Sequence, residues 1–390
     1  MKILISGVGI AGLCLAYWLH HEGHEPVIVE KASDIRTEGY MIDFGGSGYD
    51  VADRMALVPA LNEKKHDISL IQYKNAHGRT TAEIKLSKFY QLTDVSNKFI
   101  PINHRDLVSV LYAPVRDKVE VRFGTQIEQI CQTEHHVSVQ FSDGQAEDFD
   151  LLIGADGIHS QVRRLVFGKE STFSRYLGYH FAIFLIPALD YDLDQTYTMY
   201  VEPKMQVGIY PTPEGQWMIF VVTNQPDAVV PPREQRVRHL RQMLSGKGWL
   251  IPEVLGHLHD DTPVFYDTVT QIQIPRWSSN RVALIGDAAH CPTLVSGQGA
   301  SMAMTGAYFL SQELAKTDSP QEAFQSYEAR LRPHIEKIQR RTRNFAPNFI
   351  PQSHLRIALL NWALRLVDLP VVSTIVGKQV SLESIIPAEA

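Results

Sequence analysis

The sequence predicts an α/β fold: a parallel-sheet domain assembled from separated stretches of chain, an antiparallel-sheet domain inserted in it, and a C-terminal helix. Three observations lead there. The chain opens with a strand, a glycine-rich turn, a helix and a second strand, all within its first 30 residues. Two later strand-like runs, Leu151-Leu152-Ile153 and Arg281 to Ile285, each end on a turn of Gly and Asp. Between them, from about 172 to 275, aromatic-rich segments alternate and are broken by Pro and Gly, as in an antiparallel sheet.

Lys2 to Ser6 (KILIS) reads as a short buried strand, and Gly7-Val8-Gly9-Ile10-Ala11-Gly12 follows it into a helix that runs to His21. Pro26 to Val29 is the next strand and ends on Glu30. In this context each glycine of G-x-G-x-x-G has its own task. Gly7 permits the tight turn, Gly9 lets a pyrophosphate approach the backbone, and Gly12 allows close helix packing. The free N–H groups and the positive end of the helix hold phosphate. Glu30, 18 residues after Gly12, is placed to accept hydrogen bonds from ribose hydroxyls. A dinucleotide site follows; the motif alone does not choose between NAD and FAD.

Residues 119–141 alternate in the manner of antiparallel strands, with Ser142-Asp143-Gly144 as a turn. The strand at 151–153 enters Gly154-Ala155-Asp156-Gly157. The aromatic segments after 172 (YHFAIFLIP, TYTMYVEP, MQVGIYP, QWMIFVV) are expected to form one sheet, with a helix around 233–246. The strand from Arg281 enters Gly286-Asp287, and helices are expected at about 298–315 and 320–342. A Pro-broken linker (APNFIP) then precedes an apolar helix near 354–368, with Leu355, Ala358, Leu359, Trp362 and Leu366 on one face.

Composition narrows the function classes. With 37 Lys+Arg against 43 Asp+Glu the chain has a net charge of −6, the wrong sign for a nucleic-acid binder. Cys14, Cys131 and Cys291 are too few and too scattered for a disulfide framework or a zinc site, which fits a reducing, cytoplasmic setting. No HExxH-like spacing supports a metal, and no G-x-S-x-G elbow supports an esterase. The apolar N-terminus could mimic a signal peptide, but its glycines are better explained by the turn. No uncharged apolar run reaches the length of about 18 residues that a membrane span needs. Monomer and homodimer both remain open.

Three stations thus share one design, a buried strand delivering a Gly/Asp turn at its carboxyl end: GVGIAG (7–12), GADG (154–157) and GDAAH (286–290). Ligands of open α/β sheets bind beyond that end. The trio, with DLLIGADGIHSQVR (150–163) and RVALIGDAAHCPTLVSGQGASMAM (281–304), resembles the FAD-dependent aromatic hydroxylases, single-component flavoprotein monooxygenases typified by p-hydroxybenzoate hydroxylase. GYMIDFGGSGYDVADRMAL (39–57) and the C-terminal helix are similar to the tetracycline destructase branch of that family, in which such a helix packs over the substrate domain.

The resemblance implies a Rossmann-like FAD-binding domain over 1–70, 96–171 and 276–345, a substrate-binding antiparallel-sheet domain over 71–95 and 172–275, and a C-terminal helical segment over 346–390. It implies that Glu30 binds the adenosine ribose and that Asp287 binds ribityl or pyrophosphate oxygens. Gly297, Gly299 and Ala300 would open a helix beside the flavin, where a helix N-terminus stabilises the negative charge of the reduced ring. Arg105 (in NHRDL) and Arg36 match further cofactor contacts, and Lys31 stands where many relatives carry Arg. Asp156 and Arg163 match the second motif, associated with both FAD and the nicotinamide. Met199, Tyr200, Met205, Tyr210 and Trp217 are candidates for an apolar pocket with a polar handle. His290 is a candidate catalytic residue, although the flavin C4a would carry the chemistry in this family.

The expected activity is insertion of one oxygen from O2 into an aromatic or polycyclic phenol or enol, with NADPH or NADH as transient reductant and a tetracycline as leading substrate. Another aromatic or polyketide substrate, a flavin dehydrogenase or reductase that inserts no oxygen, and a flavin-binding sensor or assembly protein are the alternatives.

Overall fold

The computed structural model describes residues 1–35, 39–87, 98–365 and 384–387. Arg36 and Leu366 lie outside them. Within the described residues the chain forms β1 (Lys2–Ser6), α1 (Ile10–His21), β2 (Glu25–Glu30), β3 (Met41–Gly45), α2 (Ser47–Arg54), α3 (Val58–Glu63), β4 (Leu70–Lys74), β5 (Thr80–Lys85), β6 (Phe99–Asn103) and α4 (His104–Tyr112). Next come β7 (Glu120–Phe123), β8 (Ile127–Gln132), β9 (Val137–Phe141), β10 (Ala146–Phe149), β11 (Leu151–Gly154) and α5 (Gln161–Val166). Then follow β12 (Ser174–Pro187), β13 (Thr196–Glu202), β14 (Met205–Pro211), β15 (Gln216–Asn224), α6 (Arg236–Leu244), α7 (Ile251–Gly256) and β16 (Phe265–Ile272). The last elements are β17 (Ser278–Ser279), β18 (Val282–Leu284), α8 (Asp287–His290), α9 (Gly299–Leu314), α10 (Pro320–Phe345) and α11 (His354–Arg365).

Two large sheets organise the molecule. The first runs β17-β18-β11-β1-β2-β7 and is parallel except at β17. Its central strands are apolar on both faces, as a sheet covered on both sides requires; Ile5 pairs with Ile153 on one side and Ile28 on the other, and all three are buried. Because β1, β11 and β18 are neighbours, the three Gly/Asp turns emerge side by side. One expectation fails here. Glu120–Phe123 pairs in parallel with β2 and closes this sheet, instead of forming an antiparallel pair with the strand that follows. Only β8, β9 and β10 form the local antiparallel unit.

The second sheet runs β16-β12-β15-β14-β13-β4-β5. Its strands alternate between two apolar faces, the period of two that a pleated strand imposes. One face carries Tyr200, Val207, Ile209, Trp217 and Ile219 and packs against Leu240 and Leu244 of α6 and Ile251 and Val254 of α7. The other face, with Tyr210, Phe181, Ile183 and Met218, looks toward the first sheet and toward Ala346 and Phe349 after α10. β3 and β6 form a separate pair, in which Met41 N donates to Tyr210 Oη of the second sheet and Gly45 O accepts from Ser301 Oγ of α9. No described helix is long and apolar enough to cross a membrane.

The C-terminal helix α11 departs from expectation. Leu355, Leu359 and Trp362 are 71%, 57% and 64% exposed, so the face expected to pack inward is turned out. Ile357, Leu360 and Leu364 are the half-buried set instead, and Arg365 Nε donates to Thr81 O at 3.0 Å on the edge strand β5.

Candidate active site

The first station owes its shape to steric exclusion. Gly7 sits at φ +115°, and a Cβ there would stand 2.5 Å from Ala155 O. A Cβ on Gly12 would stand 2.1 Å from Gly7 O, so the helix packs on the turn only through glycine. Gly9 differs: nothing lies within 4 Å of its would-be Cβ, which opens into free space. Gly9 also leaves the start of α1 without a side-chain cap. The first N–H groups of α1 are therefore free to bind an anion. Glu30 ends β2 beside this turn, and its carboxylate accepts from Val8 N at 3.0 Å and Ala32 N at 2.9 Å. Those two bonds fix its orientation and leave further lone pairs of the carboxylate free to accept. Lys31 is exposed.

At the third station Gly286 turns the chain at φ +57°, and Asp287 follows. Burial pushes its carboxyl above the usual range. A Cβ on Gly299, the first residue of α9, would lie 4.0 Å from Asp287 Oδ1. Helix α9 again lacks a side-chain cap, and Gly297, in the left-handed region at φ +64°, turns the loop that leads into it. Two uncapped helix ends and one carboxylate thus face the same space. It is a cavity of about 1150 Å³ lined by Gly9, Ile10, Ala155, Asp287, Gly299 and Ala300 at one end. Its volume exceeds the 300–1000 Å³ typical of a single small-ligand pocket, enough for a cofactor and a substrate together.

The other end of the cavity is built by the second sheet. Tyr197 and Met199 of β13, Gln206 and Tyr210 of β14 and Phe220 of β15 line it. Tyr210 Oη accepts from Met41 N at 2.8 Å and so ties this sheet to β3. Gly208 leaves the space filled by the Tyr197 phenol, since a Cβ there would stand 2.2 Å from Tyr197 Oη. Phe349, just beyond α10, lines the cavity from the C-terminal side.

Residues 1–342 match the family model described as an FAD binding domain. A flavin-dependent monooxygenase from an unknown prokaryotic organism is 33% identical over 344 residues, covering 87% of this chain and 87% of the relative. The chain belongs to the FAD-dependent monooxygenases. The structure of tetracycline destructase Tet(51) superposes on this monooxygenase with TM-score 0.82 at 28% identity, covering 100% of this chain and 99% of that one. Klebsiella pneumoniae HpxO, solved with FAD and uric acid, shares the fold at TM-score 0.77 and 22% identity, covering 97% of each chain.

Several residues singled out from sequence lie elsewhere in the monooxygenase. The Asp156 carboxylate accepts from Gln161 N at 2.7 Å, Val162 N at 3.0 Å and the Ser160 hydroxyl, so it caps α5; its neighbours Ala155 and Gly157 are the ones that line the cavity. Arg163 is completely buried and donates to Ala288 O at 2.9 Å and to Glu170 at 3.1 Å, a strut between the second and third stations. Arg105 does not line the cavity: its guanidinium pairs with Glu214 in the turn after β14. His290 lies apart from the main cavity. It is 2% exposed and packs 4.7 Å from the Trp277 ring. Burial pushes it down to about 3, so it stays neutral.

The five substrate-pocket candidates divide by strand face. Met199 and Tyr210 line the cavity. Tyr200, Met205 and Trp217 belong to the core behind the sheet. Tyr197, Gln206, Phe220 and Asp43 line the cavity as well, and no sequence motif singles them out. Alternation would have separated Met199 from Tyr200, but nothing local tells which of the two faces looks at the cavity.

Proposed function

We propose that this monooxygenase inserts one oxygen atom of O2 into a polycyclic substrate bearing a phenol or enol, with NADPH or NADH as the reductant and a tetracycline as the leading candidate. The observation that carries this reading is the single cavity that runs without interruption from two uncapped helix ends to an aromatic sheet face. FAD held there would supply the redox chemistry, with the nicotinamide as source of two electrons and O2 as oxidant, one oxygen atom entering the substrate and the other leaving as water.

The chain's own residues bind, orient and exclude water. Gly9 and the start of α1 hold the pyrophosphate, and Glu30 holds the adenosine ribose. Asp287 accepts hydrogen bonds from the ribityl chain. The start of α9, with Gly297, Gly299 and Ala300, stabilises negative charge on the flavin ring. Met199, Tyr197, Phe220 and Phe349 form apolar and aromatic walls that keep water from the reacting atoms. Gln206 and Tyr210 supply polar handles on the same wall. The likeness to tetracycline destructase Tet(51) along the whole chain supports the choice of substrate.

A turnover screen tests the reading. NADPH and NADH oxidation should rise with a tetracycline present, and the product should be heavier by one oxygen atom that derives from labelled O2. Turnover of a simple phenol but of no tetracycline would remove the tetracycline assignment. Nicotinamide oxidation without label in any product would remove oxygen insertion.

A further inference from the structure

Asp43 and Asp287 are the carboxylates among the residues lining the cavity, and Asp287 stands at the other end, beside Gly299. Glu30 and Asp156 are held by backbone N–H groups, and Glu214 by Arg105. Asp43 lies on β3 opposite Pro101, with both residues lining the cavity, and its side chain is open to that space. Among the described residues no cation pairs with it; the protein crowding the cavity withdraws bulk solvent from the carboxyl and pushes it up to about 6, although the side chain itself stays exposed to the cavity.

Its place along the cavity is also defined. Met41, two residues earlier and so on the same side of β3, packs against the group that holds Tyr210 and Phe181 of the second sheet, and its N–H donates to Tyr210 Oη at 2.8 Å. Asp43 therefore belongs to the sheet end, where the reading above puts the substrate. Once that end is filled, the carboxylate loses its water. An unpaired carboxylate in such surroundings is strongly disfavoured unless the ligand brings a donor, and a cation serves best.

We propose that Asp43 is a specificity-determining residue that receives a protonated amine carried by the substrate. This rests on the proposed occupancy of the sheet end by substrate. It adds a chemical class: the aromatic or polycyclic substrate is cationic near its reacting ring.

Equilibrium binding to the FAD-loaded protein, followed by flavin fluorescence without reductant, tests it with two matched pairs. Tetracycline is compared with 4-dedimethylaminotetracycline, and tyramine with 4-ethylphenol. Losing a desolvated charge pair should matter by about tenfold or more, so the wild type should favour the amine-bearing member by that factor and Asp43→Asn should abolish the preference. Asp43→Glu, which keeps the charge, should retain part of it. Binding of the amine-free members and the FAD dissociation constant should not change in Asp43→Asn, an isosteric change at a side chain open to the cavity.

Three results overturn the proposal: no amine preference in the wild type, an unchanged preference in Asp43→Asn, or weakened FAD binding in that variant, which would assign the carboxylate to the cofactor. Amine-dependent binding of tyramine with no binding of either tetracycline would remove the tetracycline reading and keep Asp43. Tight binding of tetracycline that ignores the amine would do the reverse. Binding of neither pair would remove both.

Discussion

Gly9 and Gly12 are three residues apart in one motif, yet the space around them sets opposite expectations. A side chain at Gly12 collides with Gly7 O inside the protein, while one at Gly9 points into open cavity from an ordinary φ of −101°. Gly9→Val should therefore fold, with a loss of about 1 kcal/mol from the poorer residue at the helix start. It should also emerge colourless, because the valine occupies the approach of the pyrophosphate. Flavin content against thermal midpoint checks this: a yellow, folded Gly9→Val protein refutes the placement of the cofactor. Asp287→Ala makes a different prediction. Removing a half-buried carboxylate that the surrounding protein already holds above its usual range relieves desolvation, so the flavin-free protein should melt no earlier. FAD affinity, in contrast, should fall about 10- to 150-fold for a lost charge-assisted bond of about 1.5–3 kcal/mol. Equal FAD dissociation constants for the two proteins would make Asp287 a mere part of the turn. Both expectations begin with residues that the sequence already marks, since a glycine's steric task is local. The roles of Asp156 and His290 are not local. The first depends on which N–H groups α5 leaves free, the second on Trp277 and on which side of α8 faces the cavity.

At the scale of elements, periodicity is informative only when it offers a single answer. Strand alternation sorts Met199 from Tyr200 and Tyr210 from Ile209, but both faces of the second sheet are apolar, so the pattern does not say which one meets the cavity. Helix α11 has the same ambiguity. HLRIALLNWALR is apolar almost all round. The stripe Leu355-Leu359-Trp362 and the stripe Ile357-Leu360-Leu364 are equally good periodic choices, and the edge strand β5 selects the second. The parallel pairing of Glu120–Phe123 is hidden for a related reason: its partner β2 lies about ninety residues away in sequence. The exposure of Trp362 has a measurable consequence. In a core, Trp→Ala costs about 3–5 kcal/mol; here it should stay within about 0.5 kcal/mol and leave FAD content intact. Chemical denaturation measures that directly. A loss of several kcal/mol would mean that Trp362 is covered in solution.

For the whole molecule, the two sheets must stay in register for the cavity to exist, and the chain fastens them with charge. His159, in the loop after the second station, bonds Asp267 of β16 through Nε2 at 3.1 Å and Glu170 through Nδ1 at 2.9 Å. Asp267 first and Glu170 second raise the imidazole from its ordinary 6.5 to about 10. The folded state therefore binds this proton more tightly than the unfolded state does. The stability it contributes is complete below about pH 6.5 and disappears as the pH rises through about 10, where the folded-state imidazole loses its proton. The ring is partly exposed, so solvent screens the effect and it should be modest. Comparing wild type with His159→Gln cancels all other titrations. Their thermal midpoints should differ most near pH 6 and converge near pH 10.5. Flavin retention should change less than the midpoint, because loosening the β16 contact opens the sheet end before it disturbs the glycine turns. A difference that stays constant across this range would mean that His159 acts through packing alone, and the two sheets would then be held by their apolar contacts and by Arg105–Glu214.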